Sequence, residues 1–60
     1  MHEMALMGGV FEAITSTLAQ YEVKKVNLVK LKIGKLTNAE PDALQMAFEA
    51  YAKGTICEGA

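Results

Sequence analysis

The sequence predicts an α/β fold of two amphipathic helices flanking one strand, in the order helix, strand, helix, with a sheet left incomplete within the chain. Three observations carry that prediction. Apolar residues recur at three- and four-residue spacing near the start of the chain and again near its end. Between these regions a short stretch alternates apolar and charged residues, the period of a half-buried strand. No second alternating run is present to pair with it.

The first helix is expected over residues 3–21, where Met7, Val10, Phe11, Ile14, Leu18 and Tyr21 form one apolar stripe. Glu3 falls in its first turn, where a carboxylate complements the positive end of the helix dipole. Gly8 and Gly9 each cost about 1 kcal/mol relative to Ala within a helix. Two readings follow: a merely weakened helix, or a close approach by another backbone or a local irregularity. The spacing of Met4 and Met7 places both on the apolar face, as core residues rather than soft-metal ligands.

The strand is expected over residues 26–33, with Val29, Leu31 and Ile33 facing the core and Lys30 and Lys32 facing water. With Lys24, Lys25 and Lys35 these lysines read as a solvated face that discourages edge aggregation, ahead of a patch for an acidic partner. Gly34 ends the strand. The connection Lys35-Leu36-Thr37-Asn38-Ala39 carries no phosphate-binding loop motif. The second helix starts near Glu40 and Pro41, because proline suits a first helical position and Asp42 complements the dipole. Leu44, Ala47, Phe48, Tyr51 and Ala52 form its apolar side, and Gly54 supplies a left-handed stop. The tail from Thr55 to Ala60 resembles the approach to another strand. A lone strand is not a stable sheet, so pairing between chains or with further C-terminal strands is expected, and with it a homo-oligomer.

Bulk properties narrow the function. At 60 residues the chain is one domain, burying roughly 60% of its unfolded surface. Its net charge of −1, from 6 basic and 7 acidic residues, gives no electrostatic case for nucleic acid as the principal partner. An apolar fraction of 52% suits a packed domain. With no apolar run of about 18 residues and no signal-peptide pattern, a soluble protein without a membrane partner is expected. The single cysteine, Cys57, cannot form an internal disulfide, which fits the cytoplasm. One histidine, no Ser/His/Asp set and no glycine-rich nucleotide loop argue against an enzyme. The carboxylates Glu12, Glu22, Glu40, Asp42, Glu49 and Glu58 are scattered along helix faces and turns.

The sharpest chemistry lies in Met1-His2-Glu3. The Met1 amine and the His2 amide nitrogen close a five-membered chelate ring, the His2 and Glu3 amides close a second, and the His2 imidazole returns through Nδ1 in a seven-membered ring. Four nitrogens then fill a square plane. Displacing amide protons demands a strongly acidic metal that favours tetragonal nitrogen sites, which points to Ni(II) or Cu(II). A second arrangement uses the amine, the His2 amide and the imidazole, leaving one position open. Bulky His2 discourages removal of Met1 and so preserves the amine. Against this stands adventitious binding, which any solvated Met-His terminus offers.

The start Met1-His2-Glu3-Met4-Ala5-Leu6, the strand Val29-Lys30-Leu31-Lys32-Ile33-Gly34, and the later Phe48-Glu49-Ala50 and Gly59-Ala60 resemble the N-terminal part of the HypA/HybF family, which are hydrogenase-maturation nickel metallochaperones. The resemblance covers essentially the whole chain. It implies delivery of Ni(II), with a maturation GTPase, to the large subunit of [NiFe] hydrogenase, some relatives also serving urease. It also implies a metal site on Met1, His2 and Glu3, the last through its amide, with its carboxylate tuning or orienting the site. Residues 1–60 would be a nickel-binding domain fragment. The family's zinc domain rests on paired Cys-x-x-Cys motifs that have no counterpart here, so zinc is expected only of the full-length family. The competing function is a non-catalytic interaction or dimerisation module that uses the strand edge, with the terminus incidental.

Overall fold

Two helices form, α1 (Glu3–Leu18) and α2 (Pro41–Ala52), and no strand forms among the described residues. The computed structural model describes residues 2–34 and 38–60. The expected Met1 ligand and the stretch 35–37 of the connection lie outside them.

The stripe predicted for the first helix builds α1, but the helix stops three residues short of Tyr21. Past Thr15 the ladder tightens: the Gln20 N–H reaches Thr17 O at 3.5 Å and the Tyr21 N–H reaches Leu18 O at 3.0 Å. These are three-residue bonds of the kind that close a helix end. Tyr21 is therefore turned out, 65% exposed, and is not part of the stripe. Met7 is wholly buried, whereas Met4 is 53% exposed and is not a core residue. A helix has only one core-facing side, and three residues back from Met7 is already its edge.

Helix α2 begins with Pro41 in its first turn, where the missing N–H costs nothing. Its buried residues are Leu44, Ala47, Phe48 and Ala52. Gly54 follows with φ +80, the left-handed conformation that a Cβ disfavours. The two helices run in the same direction: Glu3 meets Glu40 at their N-terminal ends, and further along the Phe11 ring lies 5.3 Å from Phe48 and 5.5 Å from Tyr51. Met7, Leu44, Ala47, Phe48, Ala52 and Cys57 form the core. Burying a side chain such as Phe48 contributes about 1.5–3 kcal/mol.

The helix-strand-helix α/β expectation is thus corrected to two helices with an extended segment between them. Across residues 26–33 the described chain makes one backbone hydrogen bond, from the Val26 N–H to the Ile56 carbonyl at 2.8 Å. A ladder needs a run of such bonds, and no partner strand supplies them. The expected core face is not buried either. Val29 is half-buried, while Leu31 and Ile33 are 40% and 42% exposed. Val26 and Val29, three residues apart, are the ones that pack on the core. The tail also departs from a strand approach: Glu58 N–H bonds to Thr55 O at 3.1 Å and Ala60 N–H to Cys57 O at 3.0 Å, two successive turns. Those turns carry Cys57 into the core, as a packed residue 2% exposed.

Candidate metal-binding terminus

His2 occupies the N-cap position of α1, with φ −122 and ψ 24, and its side chain makes no capping bond. The residue is exposed. Its carbonyl accepts the Leu6 N–H at 3.0 Å, so the backbone enters the helix through its oxygen and leaves its nitrogen outside the ladder. The same holds for Glu3 at the first helical position. The first four N–H groups of a helix have no intrahelical acceptor, and they sit at the positive end of its dipole. Replacing the His2 and Glu3 amide protons by a metal therefore breaks no rung of α1. The dipole also favours the negative charge that deprotonated amides carry.

Glu3 is only 6% exposed. Its Oε2 accepts the Glu40 N–H at 3.1 Å, across 37 residues of sequence. Glu40 is the N-cap of α2 and makes no capping bond with its own side chain. In a capping box a glutamate three residues into a helix reaches back to the N-cap N–H. Here α1 supplies that carboxylate to α2. The Glu3 carboxyl is lowered from 4.5 to about 2, first by the charged amino terminus and then by the Glu40 and Glu3 N–H groups, with desolvation opposing. A carboxylate that accepts hydrogen bonds in its charged form resists protonation.

Beside this contact, Glu3 and Met4 of α1 and Ala43, Met46, Ala47 and Ala50 of α2 line a shallow hollow. Met46 is 71% exposed on its rim. Among the described residues, no three His, Cys, Asp or Glu side chains gather closely enough to hold a metal ion. Zinc is implied only for the full-length family; the one cysteine of this sequence, Cys57, is buried. Of the three residues expected to ligate a metal, the structure places His2 and Glu3 together at the head of α1, and Met1 lies outside the described residues.

The Glu3–Glu40 contact is a feature that sequence reasoning missed. Glu40 stands just before Pro41, so an acceptor for its N–H was to be expected, but its own carboxylate and that of Asp42 were nearer candidates. A second surface lies on the opposite side of α2. Leu28, Leu31, Ile33, Pro41, Leu44 and Phe48 are among the residues that line an open apolar groove of about 380 Å³. No helix is long and apolar enough to cross a membrane among the described residues.

Comparison with known proteins places the chain. Residues 1–60 match the family described as HypA, hydrogenase/urease nickel incorporation, metallochaperone. A hydrogenase maturation factor HypA from Desulfitobacterium hafniense is 80% identical over 60 residues, covering 100% of this chain and 53% of the relative. The protein of the same name from Lawsonia intracellularis is 43% identical over the whole chain and 51% of its own length. That from Methanocaldococcus jannaschii is 38% identical, again over the whole chain and 52% of its own length. The chain thus spans about half the length of the curated relatives it matches. No solved structure matches it significantly.

Proposed function

This chain belongs to the HypA family, and from that premise we propose that it binds Ni(II) at its N-terminus for delivery to [NiFe] hydrogenase during maturation. The family is one of maturation factors and metallochaperones, not of enzymes. The observation that carries the reading is the position of His2 and Glu3 at the head of α1: an exposed imidazole stands beside two amide nitrogens that lie outside the backbone ladder of the helix. The Met1 amine, the His2 amide and imidazole, and the Glu3 amide complete a square-planar nitrogen set suited to Ni(II). Residues 1–60 act as the nickel-binding domain. A maturation GTPase and the hydrogenase large subunit are the partners, and the pairing of hydrogenase with urease in the family's description leaves urease as a second recipient.

A carrier must release as well as bind. Coordination displaces protons from the amine and the amides and requires a neutral imidazole, so affinity rises with pH. Protonation, or ligand exchange onto an acceptor, opens the plane one nitrogen at a time. The helix beneath is untouched, because none of these nitrogens belongs to its ladder.

Titration of the untagged chain with Ni(II), by calorimetry and absorption spectroscopy, tests this directly. One saturable site with a square-planar spectrum is expected, strengthening as pH rises and abolished by His2→Ala or by acetylation of the N-terminus, with helicity retained. Weak binding that His2→Ala leaves unchanged would remove the terminus from the mechanism. A second reading, an interaction or dimerisation module, is favoured by the apolar groove along the extended segment, where Leu28 is 67% exposed.

A further inference from the structure

The two helices differ from the rest of the chain in charge. Together α1 and α2 carry Glu3, Glu12, Asp42 and Glu49 and no basic residue, whereas the lysines fall within residues 24–35 and at Lys53, just past α2. The two apolar surfaces beside α2 are therefore flanked by opposite charge. Lys30 and Lys32 interleave with Leu31 and Ile33 along the open groove. On the other side, exposed Asp42 and Glu49 each stand one residue from the lining of the hollow formed by Glu3, Met4, Ala43, Met46, Ala47 and Ala50. Resting on the nickel reading above, we propose that this hollow docks the protein that exchanges metal with the terminus, and that its occupant is an amphipathic helix whose apolar side chains are flanked by basic ones.

His2 adjoins Glu3, a lining residue, so an occupant of the hollow sits next to the proposed chelate. Ligand exchange requires a donor from the acceptor within bonding reach of the terminus, and a contact formed beside it raises that donor's effective concentration. The hollow holds about 350 Å³ and is too shallow to enclose most of a small ligand's surface. It suits side chains laid across it from a helix. The small side chains of Ala43, Ala47 and Ala50 leave the depression, and Met4 and Met46, 53% and 71% exposed, border it with flexible thioether chains that adjust to the apolar shape they meet. The flanking carboxylates then select a basic partner, and the lysines beside the groove repel it from the other apolar surface. The chelate does not oppose such a partner, because two deprotonated amides balance the charge of Ni(II).

Two synthetic helical peptides test the docking, each with leucines along one face, flanked by lysine in one and by glutamate in the other. With methionine and leucine methyl groups labelled for NMR in the metal-free chain, the lysine peptide is expected to shift Met4 and Met46 and to leave buried Met7 in place. Met46→Lys, a change at an exposed position, is expected to weaken that binding about 10-fold or more. The glutamate peptide is expected to bypass both methionines. A lysine peptide that shifts Leu28 and Leu31 instead, or two peptides that shift Met4 and Met46 equally, would overturn the proposal. Shifts of those methyls that follow chain concentration alone would make a second copy the occupant and overturn it as well.

Metal exchange is read separately. A lysine peptide extended with a histidine chelator is expected to take Ni(II) from the loaded chain about 10-fold faster or more than the chelator alone, with Met46→Lys removing the advantage. Equal rates would overturn the exchange role. Failure of the underlying reading has a different signature, nickel binding that His2→Ala leaves intact, and the methyl shifts, measured without metal, still decide whether the hollow docks a basic helix.

Discussion

Glu3 is the residue on which local chemistry and tertiary structure meet. In the sequence it is a first-turn acid that complements a helix dipole; in the fold it caps a second helix 37 residues away. Its lowered pKa has a consequence for stability. Because the folded value lies below the ordinary 4.5, the contribution is complete above that pH and is lost as pH falls toward about 2. Wild type is therefore expected to unfold at higher temperature than Glu3→Gln near neutral pH, with the two midpoints converging in acid between those values. A difference that stays constant through the acid range would show that the Glu3 charge does not support the fold. The chelate rings open to the His2 nitrogens follow from covalent connectivity and need no fold. The second role of Glu3 was not legible in the sequence, because nothing local distinguishes its carboxylate from those of Glu40 and Asp42 as an acceptor.

At the scale of elements, the paired glycines in α1 differ, and what comes close at Gly8 is a side chain, not the backbone that the sequence led one to expect. A Cβ on Gly8 would lie 2.9 Å from the Tyr51 hydroxyl oxygen, whereas one on Gly9 would meet nothing within 4 Å. Gly8 admits a neighbouring side chain and Gly9 only weakens the helix. Gly9→Ala is accordingly expected to stabilise the chain by about 1 kcal/mol in denaturant unfolding. Gly8→Ala should give clearly less, because the Tyr51 ring must shift, and adding Tyr51→Phe should restore the difference. Equal gains from both alanines would dismiss the close approach. Both helices were legible because their apolar periods and stop signals are local, and Gly54 takes the left-handed conformation expected of it. The C-terminal end of α1 was less so: Tyr21 continues the period but lies beyond the last rung of the ladder.

At the scale of the whole molecule, the extended segment decides the architecture. Leu28, Leu31 and Ile33 stay exposed beside an open groove, and one backbone bond ties residues 26–33 across the fold. An exposed apolar surface of this kind favours burial against a further copy of the chain. Size-exclusion chromatography with light scattering is expected to find species larger than a monomer at high concentration, and Leu31→Glu is expected to return the chain to monomer. A monomer at every concentration would withdraw both the self-association and the dimerisation-module reading. Nickel binding should survive Leu31→Glu, since the groove and the terminus lie on different sides of α2.

The amino-acid sequence by itself determined both helices, the proline and glycine that bound α2, and the nitrogen-rich terminus, because periodicity, capping and chelate geometry act over a few residues. Only the tertiary structure decided that residues 26–33 form no strand, that the tail turns to bury Cys57, and that Glu3 caps α2. The physical reason is common to all three. A strand, a buried thiol and a cap borrowed from another helix each depend on partners brought from far along the chain, and alternation or composition specifies the need for a partner without supplying one.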